Sequence, residues 1–224
     1  MFERISPEAA GISSDKIVKF INKLEQRGAI MHSLLIMRHG KVLTENYWAP
    51  FNKDSVHRMY SETKSYVAIA VGLLEEEGKI SLDDKIVDYF KDCLGQTLPP
   101  FLDNLTIKDM LMMKTAGQTP GSYDVKEFYR NKLYFNHKHH SRPSNTYWEY
   151  DSNGSQILCA LVEKISGKCL LDYLKEKLFN KMGTFKTAKV LKTKGGNSWG
   201  DSALVCTSRD MLSFAQLVSN YGVW

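Results

Sequence analysis

The chain has 224 residues, of which 43% are hydrophobic and 25% charged, with a formal net charge of +5. That length holds one large domain or two small ones around a substantial core, and the composition excludes a disordered chain. Charge is spread rather than blocked, with mixed-sign runs such as "KLEQR" at 23–27, so neither the basic stripe nor the interleaved aromatics of a nucleic-acid binder is present.

The opening "MFERISPEAAGISSDKI" has no apolar core behind a basic start, so no secretory signal is read and the chain is expected to be cytoplasmic. "SSDKIVKFINKLEQRG" predicts a helix capped by Ser13 or Ser14, with Ile17, Phe20, Ile21 and Leu24 on one stripe and Gly28 as its stop. Two β-prone segments in "HSLLIMRHGKVLTENYW" flank Arg38-His39-Gly40-Lys41 and predict a hairpin, with Gly40 free to take positive φ. Residues 49–59 read as loop. A helix over 62–77 follows, closed by Gly78; its apolar stretch near 66–74 is too short to span a bilayer, and no membrane association is expected.

"ISLDDKIVDYF" predicts a connector and short helix capped by Ser81 or Asp83, and Thr106 with Asp109 forms a capping-box pattern ahead of Ile107, Met110 and Leu111. The three methionines 110, 112 and 113 read as core. Residues 117–149, rich in Gly, Pro, Ser, His and Tyr, form a long irregular segment, a type often functional. Helices are then predicted just past Tyr150, through "CLLDYLKEKLFNKMG", and over "TSRDMLSFAQLVSN" capped by Thr207 or Ser208, with mostly loop at 184–201. Cys93, Cys159, Cys169 and Cys206 lack C-x-x-C spacing, and His137, His139 and His140 in "NHKHH" have no carboxylate or thiol at ligand spacing. The expectation is reduced thiols, solvated histidines, no metal and no cofactor.

The stretch "YSETKS" at 60–65 puts Ser61 at the mouth of a helix with Lys64 three residues on. Such residues share one helix face, roughly 5–6 Å apart at Cβ, so the amine can reach the hydroxyl. A serine needs a base to become a nucleophile, and a helix N-terminus offers unpaired N–H groups where an oxyanion would form. Either a lysine of lowered pKa is that base, or a charged lysine stabilises a neighbouring phenolate that serves instead. Tyr150 is the candidate phenol, on a loop at a helix start, with Ser152 or Asn153 placed to hydrogen-bond a substrate amide. Tyr123, Tyr147 and Trp148 are candidate pocket aromatics, and Asp151 reads as a helix cap.

Four segments in order, "YSETKSYVAIAVGLLEEEGKISLDDKIVDYF", "LTIKDMLMMKTAG", "YDSNGSQILCALVEKISGKCLLDYLKEKLFNKMGTFKT" and "DSALVCTSRDMLSFAQLV", resemble the serine β-lactamase-related hydrolases and penicillin-binding enzymes. The likeness is to the branch with a tyrosine second motif, which contains class C β-lactamases, D-amino-acid peptidases, esterases and oligoamide hydrolases. It implies an α+β, β-lactamase/DD-peptidase-like fold: an antiparallel sheet packed with helices, plus an inserted helical region. By position it implies Ser61 as acylated nucleophile, Lys64 as its proton partner and Tyr150 as base and later acid. Ser152 falls where many members carry asparagine, Asn153 is the substitute one place on, and the resemblance places Trp199, in the glycine-flanked turn "GGNSWGDSA", near the cleft rim.

The family's third motif, Lys-Thr-Gly or His-x-Gly on a closing strand, has no counterpart before Trp224; "LKTKGG" at 191–196 reads as loop. The resemblance therefore implies a chain stopping before the last third of the fold, with an open hairpin edge and a missing oxyanion donor. Expected organisation is an N-terminal helix-and-hairpin layer at 1–60, a helical region at 61–183 and an incomplete return to the sheet at 184–224. The expected function is a metal-free serine hydrolase forming an acyl-enzyme on a small-molecule or short-peptide amide or ester. Alternatives are a catalytically weak truncated relative, or a module binding peptides or peptidoglycan fragments.

Overall fold

The computed structural model describes residues 2–117, 130–137 and 142–224. In chain order, α1 is Ser14–Gln26, β1 Ser33–Arg38, β2 Lys41–Tyr47 and β3 Val56–Arg58. Next come α2 at Thr63–Glu76, α3 at Ile86–Tyr89, α4 at Ile107–Leu111, α5 at Arg130–Asn136 and α6 at Ser152–Ser166. The run α7 at Leu170–Leu174, a π-turn at Lys175–Phe179 and α8 at Asn180–Met182 is followed by β4 at Lys189–Val190, β5 at Leu204–Thr207 and α9 at Ser208–Ser219. Two compact units divide the chain: Met1–His57 with Thr184–Thr187 and Cys206–Trp224, and Arg58–Gly183 with Ala188–Val205. The stretch 184–224 contributes residues to both units.

In the first unit, β1 and β2 pair antiparallel from Ser33↔Tyr47 to Arg38↔Lys41, with an irregularity between Ile36 and Met37. His39 and Gly40 have φ of 49° and 75°, the two left-handed positions of a hairpin turn matched to strand twist. Helix α9 is fixed by a capping box in which the Thr207 hydroxyl and the Asp210 carboxylate each take a backbone N–H of the other residue. Asp210 also accepts from the Phe185 N–H at 2.6 Å, and the Ser208 and Ser33 hydroxyls meet at 2.7 Å, which ties α9 to β1.

The second unit is built on α2 and α6, which pack against each other. Buried residues of α2 are Thr63, Tyr66, Val67, Ala70, Val71 and Leu74, the spacing of one continuous helical face. In α6 every residue from Asn153 to Val162 is buried, so it is enclosed on all sides. Truncating Leu74, fully buried in this core, would cost about 2–5 kcal/mol. The Thr106 capping box with Asp109 forms as the sequence predicts and starts α4.

Several local expectations are corrected. Residues 56–58 are strand rather than loop, and 130–136 are helical within the segment expected to be irregular. The helix after "ISLDD" starts only at Ile86, because Ser81 is engaged in a turn where its N–H donates to Asp84 at 2.7 Å. Met112 is 36% exposed, since the chain leaves α4 at that residue and turns through Met113 at φ 55°. Tyr123, His139 and His140 lie outside the described residues.

Candidate active site

Ser61 sits in a 3-10 turn, Tyr60–Glu62, that feeds directly into α2. Its hydroxyl is therefore exposed at the positive end of a 14-residue helix. Lys64, half-buried one turn on, places Nζ 3.2 Å from Ser61 Oγ and 2.6 Å from the Asp201 carbonyl oxygen. The same ammonium lies 5.0 Å from the centroid of the Tyr150 ring. The hydroxyl and the amine, three residues apart, and the phenol, distant from both in sequence, thus come together within the second unit.

Each is held by packing that the sequence encodes locally. Asp151 caps α6, its buried carboxylate taking the Gly154 N–H at 2.9 Å and the Thr115 hydroxyl at 2.9 Å. That anchor fixes the chain immediately after Tyr150. Partial burial pushes the Tyr150 phenol up, but hydrogen bonds from Lys64 and Ser61, the Lys64 charge and a bond from Ser152 outweigh it and leave the phenol below its ordinary value. Thr63, between the serine and the lysine, is fully buried and takes the Leu204 N–H at 3.1 Å. Strand β5 leaves from that bond, and the loop before it carries Asp201.

The loop at 198–201 is fastened to α6. Gln156 donates to the Ser198 carbonyl and accepts the Gly200 N–H, both at 2.9 Å, and Glu163 accepts the Ser198 N–H at 3.2 Å. Gly200 permits this approach, because a Cβ there would stand 2.2 Å from the Cys159 Cβ. The Asp201 carboxylate, fully buried, pairs with Arg130 at 2.6 Å, and Arg130 also donates to Asn153 Oδ1 at 3.3 Å. Arg58 lies with its guanidinium over the Tyr60 ring at 4.7 Å and the Trp199 ring at 4.8 Å.

Among the sequence-predicted residues, Ser61, Lys64, Tyr150 and Ser152 come together, while Trp199 lies under the Arg58 guanidinium, which also covers Tyr60. Asn153 is 8% exposed and engaged by Arg130. Trp148, at 58% exposure, stands on the surface, and the Tyr147 ring is covered by Arg142 at 4.9 Å. Sequence reasoning missed Arg58, Arg130, Gln156 and Asp201. Only Thr63 gave a signal, as a β-branched polar residue on the apolar stripe of a helix. Among the described residues no group of three or more His, Cys, Asp or Glu is arranged to hold a metal ion. Among them, too, no helix is long and apolar enough to cross a membrane.

Fold and site together define a serine-and-lysine helix facing a tyrosine loop. The Beta-lactamase family model matches residues 19–220, and the chain belongs to that family. It is 23% identical over 236 residues to the 6-aminohexanoate-dimer hydrolase of Paenarthrobacter ureafaciens, covering 97% of this chain and 60% of that protein. The octameric penicillin-binding protein homologue from Pyrococcus abyssi superposes with a TM-score of 0.77 at 18% identity, over 95% of this chain and 57% of that one. A class C beta-lactamase in complex with cefoxitin gives a TM-score of 0.74 at 16% identity, over 94% and 66%. The fold is the α+β, β-lactamase-like one, and the chain spans about 60% of the length of the curated relative it matches.

Proposed function

We propose that the site is that of a serine hydrolase which cleaves an amide or ester through an acyl-enzyme. The observation that carries this reading is the position of Lys64 Nζ, 3.2 Å from Ser61 Oγ and over the Tyr150 ring. An ammonium has three donors and no acceptor. Around Lys64 stand three groups to receive them: the Asp201 carbonyl, the Ser61 hydroxyl and the Tyr150 oxygen. We read Lys64 as the cation and Tyr150 as the base, an assignment that this set of acceptors supports.

Ser61 Oγ attacks the substrate carbonyl carbon while its proton passes to the Tyr150 phenolate. The tetrahedral intermediate collapses, the C–N or C–O bond breaks, and the phenol proton goes to the departing nitrogen or oxygen. Water then attacks the Ser61 ester, gives its proton to Tyr150, and Tyr150 returns it to the serine oxygen. The N-terminus of α2 supplies positive potential to the oxyanion in both halves. A hydrogen bond from Ser152 helps hold the phenol below its ordinary pKa.

The relative from Paenarthrobacter ureafaciens is named for a dimer of a linear amino acid. A small linear amide or its ester analogue is accordingly the substrate class we assign. An activated ester such as p-nitrophenyl butyrate tests the reaction. The reading expects a burst of p-nitrophenol, about one per chain, that is absent in Ser61→Ala. Hydrolysis of equal size in both chains, or in neither, would overturn it.

A further inference from the structure

Arg58 stands three residues before Ser61, and its contacts are with Tyr60, beside the nucleophile, and with Trp199 and Ser202, near Asp201. Its guanidinium lies against two rings, 4.7 Å from the centroid of Tyr60 and 4.8 Å from that of Trp199. Its Nε donates to the Ser202 carbonyl and Nη2 to the Ser202 hydroxyl, both at 2.9 Å. Tyr60, next to the nucleophile, has φ of 46°, a left-handed conformation that is strained for any residue with a Cβ. Trp199 and Ser202 bracket Asp201, whose carbonyl receives the Lys64 amine at 2.6 Å.

We infer that Arg58 is a positioning residue: one planar cation both holds Tyr60 in its strained conformation and holds the loop of Asp201. It thereby fixes the distance between the Ser61 hydroxyl and the acceptor that anchors Lys64. The inference rests on the serine-hydrolase reading of the site and names a determinant that this reading does not require. A lysine at the same place keeps the charge but loses the flat faces that stack on two rings and the fork that reaches two oxygens of one residue. Glycine at position 60 adopts positive φ without steric cost, so it removes the strain that Arg58 counters.

The test is a cycle of Arg58→Lys, Tyr60→Gly and the double variant, read by fluorophosphonate labelling and by thermal melting. Arg58→Lys is expected to lower the maximal labelling rate about 10- to 100-fold with little change in the half-saturating probe concentration. Its acidic limb is expected to move to higher pH, because the Lys64 amine is no longer held against Tyr150. A variant that was only less stable would leave that limb in place. In the Tyr60→Gly background the same change is expected to cost about 3-fold or less, and the melting temperatures are expected to be non-additive in the same sense. Equal losses in both backgrounds, or an unchanged rate and limb in Arg58→Lys, would overturn the inference. If the parent chain does not label at all, the hydrolase reading fails. The melting cycle still decides the clamp in that case, because additive melting temperatures exclude it.

Discussion

The Lys64 amine is closer to the backbone carbonyl of Asp201, at 2.6 Å, than to the Ser61 hydroxyl, at 3.2 Å. A carbonyl oxygen only accepts, so this bond is made by the amine as donor whatever happens at the serine. The lysine is thus fastened to a loop at one end, and its remaining donors face the serine and the phenol. In the proposed mechanism the lysine is the fixed charge and the phenol beside it the base.

Tyr150 should therefore set the pH dependence. The phenol lies below its ordinary value despite partial burial, and only the phenolate accepts the serine proton. Acylation rises with pH through the phenol pKa and then levels. Lys64→Met removes a hydrogen bond and a charge, leaves desolvation less opposed, and moves the acidic limb to higher pH. Tyr150→Phe abolishes that limb and lowers the rate about 100- to 10,000-fold. The pH profile of burst amplitude and rate in the two variants checks this; an unmoved limb in both would contradict it.

Asp151 is predicted to matter for stability more than for charge at the site. Its buried carboxylate closes the N-terminus of α6 through Gly154 and holds the Thr115 hydroxyl. Asp151→Ala should cost about 2–4 kcal/mol, combining a lost cap with a stranded buried hydroxyl. Asp151→Asn, which still caps, should cost less. Urea unfolding of both variants measures the difference.

Gly200→Ala should damage both folding and activity. The new Cβ would fall 2.2 Å from the Cys159 Cβ and 2.4 Å from its sulfur, so the loop must lift off α6. Overpacking of that kind costs about 1–3 kcal/mol. The lift also carries the Asp201 carbonyl away from Lys64, so acylation should fall even at temperatures where the variant is fully folded. Melting curves and burst rates taken together report the two effects separately.

Acid stability should depend on Glu77. Hydrogen bonds from Lys177 and Lys79 and their charges lower its carboxyl to about 2, below its unfolded value. A depressed acid contributes stability that is fully present above the unfolded value and is lost as pH falls through the folded one. The loss therefore runs from about pH 4.5 down to about pH 2. Glu77→Gln should flatten the stability curve in that window and leave it unchanged in slope near neutrality. The group is largely solvent-facing, so the effect should shrink in high salt.

Much of this arrangement is legible in the sequence, for local reasons. The spacing of Ser61 and Lys64 fixes one helix face, the Thr106–Asp109 pattern fixes a cap, and Arg38-His39-Gly40-Lys41 fixes a turn. Tyr150 is legible as a candidate phenol at a helix start, and its pairing with Ser61 gains support from family resemblance, since an 89-residue separation by itself does not report proximity. Arg58 and Asp201 escaped for the same reason. One acts through a backbone carbonyl that any residue could offer, and the other through ring faces brought together by chain folding. Helix α5 was hidden because its seven residues are too few to show periodicity inside a segment rich in turn formers.

The central claim, that Ser61 is the acylated atom, is tested most directly by intact-mass and peptide mass spectrometry after exposure to a fluorophosphonate or a slowly released ester. The account predicts a single adduct on the peptide containing Ser61, reduced by Lys64→Met and absent in Ser61→Ala. An adduct of equal yield in Ser61→Ala, or a folded chain that stays unmodified at saturating probe, would contradict it.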